Sequence, residues 1–222
     1  MARLIALEGI DGSGKGTQAA LLHAALQRAG HECALLSFPR YQQTQFGRKI
    51  GDFLNGKYGT LDQVHPVLVS LLFAGDRLES KPLIEQSLAR CEFVICDRYV
   101  PSNMAHQAAK APATEREELL SWIEFVEYEL YRLPRADAVI WLDMPVPAAQ
   151  ELILRKQKRA YTDRAADLQE ADATYLEQVR QVYARLATRD ATWRRIDCCA
   201  DGRIRETDDV AAEIAAIMIP TA

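Results

Sequence analysis

Compact apolar runs alternate along the chain with longer stretches whose apolar positions recur every three or four residues. Residues 3–8 (RLIALE) form one such run, ending at Gly9, and predict a buried strand. Residues 16–29 place Ala19, Leu22 and Leu26 on one helical face and stop at Gly30. A strand is expected over 32–38, helices over 63–79 and 83–90, and a buried strand over 92–97 (EFVICD). A long helical pattern over 115–133 is broken by Pro134. Then come a buried strand over 138–143 (AVIWLD), helices over 147–158 and 172–188, a last strand over 193–198 and a closing helix over 208–217. Two stretches fit no element: 44–60, which is glycine-containing, and 159–170, which is dense in charge. Each is expected to be a mobile segment over a site.

Strands that are apolar on both faces and alternate with helices call for a parallel sheet covered on both sides. The expected fold class is α/β, a doubly wound parallel five-stranded sheet. The 222 residues suit one domain, 1–222, with a sizeable core. A formal charge of −4 argues against a nucleic-acid binder, which needs a basic surface. No apolar run approaches the roughly 18 residues of a membrane span. The N-terminus enters the first strand pattern at once, leaving no room for a signal peptide. Cys33, Cys91, Cys96, Cys198 and Cys199 form no CxxC pair and read as reduced packing residues. A cytoplasmic location follows as the expectation.

The first predicted strand runs into Gly9-Ile10-Asp11-Gly12-Ser13-Gly14-Lys15-Gly16-Thr17, and a helix follows. This is the Gly-x4-Gly-Lys phosphate loop in its strand–loop–helix setting. Its glycines let backbone N–H groups turn inward, and the helix N-terminus adds partial positive charge. Lys15 supplies a point charge for the outer phosphates of ATP. Gly16 stands where a Ser or Thr usually offers magnesium a hydroxyl, with Thr17 one residue later. Asp97, at the end of EFVICD, resembles a Walker B carboxylate for Mg2+.

A phosphate loop indicates a nucleotide-binding fold and leaves the reaction open. There is no Asn-Lys-x-Asp guanine-reading motif. Arginines stand at the ends of elements: Arg40 after the second strand, Arg77 in FAGDR, Arg98 after Asp97, then Arg155, Arg159 and Arg164. Transfer between two nucleotides has to neutralise two phosphate chains, and guanidinium forks do this bidentately.

The stretches EGIDGSGK at 8–15, Phe38-Pro39-Arg40, Phe73-Ala74-Gly75-Asp76-Arg77 and Asp97-Arg98-Tyr99-Val100-Pro101-Ser102-Asn103 resemble the thymidylate kinase family. The resemblance implies a P-loop NTPase fold with a lid at about 155–170, ATP and dTMP as substrates, Mg2+, and a homodimer. It implies that Phe73 stacks on the base and that Arg77 and Asn103 bond its edge. Arg40 and Arg98 would clamp the acceptor phosphate. Asp11 would face the acceptor sugar and the metal, with Asp97 supporting the metal. Phe38, Tyr99, Ser102 and His106 would complete the acceptor site, His106 replacing an aromatic residue usual in the family. One group of the family keeps a catalytic arginine in the phosphate loop, where this chain has Gly12. The resemblance therefore points to the lid, with Arg159 favoured over Arg155 and Arg164, and with Asp167 and Glu170 opening the next helix. The alternatives are another monophosphate kinase, such as adenylate kinase, and a nucleotide-binding regulatory protein without transfer.

Overall fold

The computed structural model describes residues 2–60, 63–155 and 172–219. Five parallel strands form the central sheet: β1 (Arg3–Glu8), β2 (Cys33–Ser37), β3 (Phe93–Asp97), β4 (Ala138–Asp143) and β5 (Trp193–Asp197), in the order β2-β3-β1-β4-β5. The five-stranded parallel α/β reading is thus met. Leu4 to Leu7, Val94 to Cys96 and Ile140 to Leu142 are sealed from solvent. Apolar residues on both faces exclude water only between two helical layers, which is why these short runs become interior strands.

The register sets the site. Leu7 pairs with Asp97 on one side and with Ile140 on the other, and Asp143 pairs with Asp197, so the C-terminal ends of all five strands share one edge. From β1 the chain goes to the edge strand β2, returns to β3 and then passes β1 to β4 and β5, so a crevice opens between the ends of β1 and β3.

Helix α1 (Lys15–Arg28) begins at that point, and α2 (Gln45–Leu54) and α3 (Pro66–Arg90) follow β2. Two expectations are corrected here. Residues 44–60 are not wholly irregular, because Ile50, Phe53 and Leu54 pack with Val69 in a second apolar cluster. Thr44 caps α2 by accepting from Gly47 N at 2.8 Å. The helices expected at 63–79 and 83–90 are one helix that runs through Pro82. An interior proline costs roughly 3 kcal/mol, and here both flanking halves, with Val69, Ala74 and Ile84, are anchored in the cores.

A helix not anticipated from the sequence, α4 (Val100–Ala108), follows β3, and every one of its residues is buried. A helix buried on all sides has no amphipathic pattern to find. The pattern over 115–133 resolves into α5 (Arg116–Glu124) and a π-helical segment, Phe125–Leu130. The remaining elements are α6 (Val146–Arg155), α7 (Ala173–Ala187), an unanticipated hairpin β6 (Cys199–Ala200) and β7 (Arg203–Ile204), and α8 (Thr207–Met218).

Candidate active site

Gly9 to Gly14 turn tightly out of β1, and α1 starts with no side-chain cap. Its first N–H groups are therefore left for an anion. Gly12 adopts φ +83, and a Cβ there would lie 2.3 Å from the carbonyl oxygen of Ala149 on α6. No side chain fits at this position without moving α6. Lys15 Nζ donates to Ile10 O at 2.7 Å and to Ser13 Oγ at 3.4 Å. Burial, followed by the charge of Arg98, lowers the Lys15 pKa to about 7. A Cβ on Gly16 would lie 3.0 Å from Asp97 Oδ2, so the strand-end carboxylate faces the start of α1. Beside the loop is a pocket of about 230 Å3 lined by Gly12, Ser13, Thr17, Met144, Ile204 and Val210 among others. A second, shallow pocket of about 390 Å3, with Arg3, Cys91 and Phe93, lies at the opposite edge of the sheet, far from this chemistry.

Arg98 joins the phosphate loop to α4. Its backbone has φ +68, rare for a residue with a side chain and a mark of a position held by its surroundings. Nη2 donates to Asp11 Oδ1 at 2.6 Å, and Nη1 donates to Gly9 O at 3.3 Å and Ser102 Oγ at 3.0 Å. Burial works against its charge, but Asp11, Asp97 and Glu8 outweigh it and keep the guanidinium protonated. Ser102 Oγ in turn donates its hydrogen bond to Glu8 Oε2 at 2.5 Å, and Tyr183 Oη also donates there at 2.9 Å. Burial raises the Glu8 pKa, opposed by these donors and by Arg98.

His106 contacts the same arginine. Tyr175 Oη donates to the His106 carbonyl at 3.1 Å and so accepts from His106 Nδ1 at 2.9 Å. Nε2 is then the bare acceptor for Arg98 Nη1 at 3.3 Å. The network thus assigns the neutral tautomer. Burial, then Arg98, holds the His106 pKa well below its usual value. Arg40 lies across the cleft: Asp76 Oδ2 accepts from Arg40 N at 3.0 Å, and Arg40 Nη1 donates to Ser80 Oγ at 3.3 Å. Asp76 also accepts from Thr44 Oγ1, so one buried acid organises the chain between β2 and α2.

Arg77 is only 1% exposed. Its Nε and Nη2 grip the two oxygens of Glu127, the latter at 2.6 Å. Burial opposes its charge, and Glu127 more than restores it. Asn103 Nδ2 donates to Ser70 O at 3.0 Å and to Glu127 Oε1 at 2.8 Å. Asn103 Oδ1 is buried and has no partner among the described residues. Phe73 is half-buried at the edge of the cluster formed by Ile50, Phe53, Leu54 and Val69.

A profile of the thymidylate kinase family matches residues 7–206. The chain belongs to the thymidylate kinase family. Thymidylate kinase of Mycobacterium tuberculosis (strain CDC 1551 / Oshkosh) is 34% identical over 209 residues, 92% of this chain and 96% of that one. The human thymidylate kinase is 34% identical over 146 residues, 66% of this chain and 63% of that one. The solved thymidylate kinase of Candida albicans superimposes with a TM-score of 0.72 at 24% identity, covering 98% of this chain and 91% of that one, and speaks for the fold.

Seen as a thymidylate kinase, the chain brings Asp11, Lys15, Asp97, Arg98, Ser102 and His106 together at the end of β1 and β3, with Arg77 and Asn103 joined behind them. Phe38 and Tyr99 lie beneath these residues. Both are sealed in the core, with ring centroids 6.2 Å apart, and Tyr99 Oη is engaged by Pro134 O at 2.8 Å. They form packing beneath the site. Arg159, Arg164, Asp167 and Glu170 lie outside the described residues, and Arg155 closes α6 with its side chain outside the description. Glu127, Asp76 and Tyr175 were not anticipated. The available signal for Glu127 was a glutamate between the apolar residues Val126 and Tyr128, at a position that turns out fully buried.

Proposed function

We propose that this thymidylate kinase transfers the γ-phosphoryl group of ATP to dTMP, giving ADP and dTDP. The observation that carries the reading is Arg98, a charged guanidinium fastened between the phosphate loop and α4. A protein that only binds ATP has no need of a second cation buried beside the loop, whereas transfer between two phosphate chains does.

The backbone of Gly9 to Thr17 and Lys15 hold the donor phosphates, and the apolar pocket beside Met144 and Val210 takes the donor base. Arg40 and Arg98 hold the acceptor phosphate. Binding there has to draw Arg98 partly off Asp11, which frees that carboxylate for the acceptor sugar. Phe73, Arg77 and Asn103 hold the base, and His106 keeps Arg98 in place. In-line transfer then needs no covalent intermediate, only alignment and exclusion of water.

The donors present suit Mg2+. Asp97 and Asp11 are hard oxygen ligands beside the loop, and among the described residues no cluster of three metal-binding side chains exists. Phosphate oxygens and water would fill the remaining positions, and the ion would offset charge on the phosphates.

The subunit is proposed to pair with a second copy. Leu68 and Leu78 on α3, Trp122 on α5, and Phe125 and Leu130 beyond it are large apolar side chains left exposed. Sedimentation at micromolar concentration checks this. The cysteines are all free, in keeping with a reducing, cytoplasmic setting. An acceptor screen with ATP tests the activity. Turnover of dTMP supports the reading; turnover of AMP, or slow hydrolysis alone, overturns it.

A further inference from the structure

Glu127 occupies an unusual place. It sits on the π-helical segment, where the wider turn brings Val126 and Glu127 inward together, and it is fully buried. It reaches no phosphate-loop residue. Its two oxygens are used by Arg77 Nε, Arg77 Nη2 and Asn103 Nδ2. A buried carboxylate that bonds both residues read as base contacts, and little else, has a task beyond filling the core.

The consequence lies in the amide of Asn103. An asparagine can present either its donor or its acceptor, since the two orientations have nearly the same shape. Here both hydrogens of Nδ2 are committed, one to Ser70 O and one to Glu127 Oε1. Turning the amide over would set Oδ1 against two acceptors. One orientation therefore survives, and it leaves Oδ1 buried and unpaired among the described residues. A buried carbonyl without a donor is costly, and a ligand N–H removes that cost.

We propose that Glu127 is the positioning residue that sets base selectivity, by locking Asn103 with its carbonyl as the atom offered to the acceptor base. The proposal rests on Asn103 being a base-edge residue in the functional reading above. A pyrimidine with a protonated ring nitrogen, such as thymine or uracil, brings the missing donor. Cytosine brings a lone pair at the same ring position and meets oxygen with nitrogen. Glu127 also grips Arg77 at Nε and Nη2, so that Nη1, which has no partner among the described residues, is turned from a flexible fork into a fixed donor.

The test is Glu127→Leu, assayed with dTMP, dUMP and dCMP. Leucine keeps much of the volume but offers no acceptor, so Asn103 Nδ2 keeps only Ser70 O and the amide is released. The expected result is a loss of about a hundredfold in kcat/KM for dTMP together with a rise of at least about tenfold in the dCMP-to-dTMP ratio, because a site built around one hydrogen-bond pattern discriminates strongly and loses that discrimination with the pattern. ATP affinity is expected to stay within about twofold, since Glu127 touches nothing at the loop. A fall in dTMP activity with an unchanged ratio overturns the proposal and leaves Glu127 a packing residue. A wild-type enzyme that phosphorylates AMP instead of dTMP overturns the functional reading on which it rests.

A second measurement needs no variant and decides the matter if Glu127→Leu does not fold. The chain has two asparagines, Asn55 and Asn103, so 15N-asparagine labelling gives two side-chain amide signals. The Asn103 Nδ2 protons should exchange slowly with solvent and stay protected when dTMP binds. Rapid exchange in the free enzyme, or protection that is lost when dTMP binds, overturns the proposal.

Discussion

At the end of β1 the phosphate loop offers mostly backbone N–H groups and one lysine, whereas behind α3 and α4 three side chains, Arg77, Asn103 and Glu127, are buried in a single hydrogen-bonded cluster. The first region binds by shape and by the field of a helix end, and it accepts any nucleotide with the right phosphates. The second holds fixed donors and acceptors, a pattern that a base edge has to match in the function proposed above. One is glycine-rich and short-range in sequence. The other joins residues 24 to 50 positions apart. Chemistry shared by many nucleotide enzymes can therefore rest on a local motif, while in the proposed reading the choice of acceptor rests on a tertiary cluster.

Four changes break or sharpen this contrast, the largest first. The phosphate loop has no room for an arginine at Gly12, so the guanidinium for the transferred group has to come from outside it. Replacing Arg155, Arg159 and Arg164 singly by alanine should cost at least one variant a hundredfold or more in turnover, within the roughly 10³–10⁵ such an arginine supplies, while ATP still binds. Near-normal turnover in all three would move that role to Arg40, Arg98 or a partner subunit.

Arg77→Ala should act on stability as well as on dTMP binding. It leaves Glu127 buried without its cation, and breaking a buried pair from one side costs about 3–5 kcal/mol. Urea unfolding of the two proteins reads this loss. A cost below about 1 kcal/mol, the range of an exposed pair, would show that the cluster is solvated.

Removing the thymine methyl group tests how apolar the acceptor pocket is. With dUMP the fixed hydrogen bonds remain and only one methyl contact is lost, so kcat/KM should fall by about 10–200-fold. Complete rejection of dUMP would mean that another feature reads the base.

The smallest effect belongs to the loop. In the free enzyme Lys15 titrates at about 7 because it is buried beside Arg98. Bound phosphate favours the charged form and returns the pKa toward its ordinary 10.5. Below about pH 7 the lysine is charged in both states and contributes no slope. Above it, binding takes up a proton, so ATP affinity should fall as pH rises, by at most about tenfold per unit. Calorimetry in buffers of different ionisation enthalpy measures the uptake. A flat profile from pH 7.5 to 9.5 would show that Lys15 is already charged when free.

Much of the frame was legible because the signals were local. The runs RLIALE, EFVICD and AVIWLD are short and apolar throughout, and only an interior parallel strand uses such runs. Helix α4 was not legible, since burial on every side removes the periodicity that marks a helix. Pro82 suggested a break that packing on both sides overrode. In the site, the phosphate loop and the strand-end Asp97 and Arg98 could be named from spacing. The direction of the Tyr99 ring was not legible, because a motif tells which residues are neighbours in sequence and not which way a ring points; the core holds it.

By itself the sequence determined the buried strands, the phosphate loop and its place at the end of the first strand, because each shows in a pattern within a dozen residues and in rules that hold for any chain, whereas the strand pairings join residues more than fifty positions apart. Only the tertiary structure decided that Gly12 is closed off by α6, that His106 is the neutral acceptor for Arg98, and that Glu127 fastens Arg77 and Asn103 together. The reason is physical. The direction of a buried hydrogen bond depends on which donor and acceptor the packing brings within 3 Å, and residues far apart in sequence supply them.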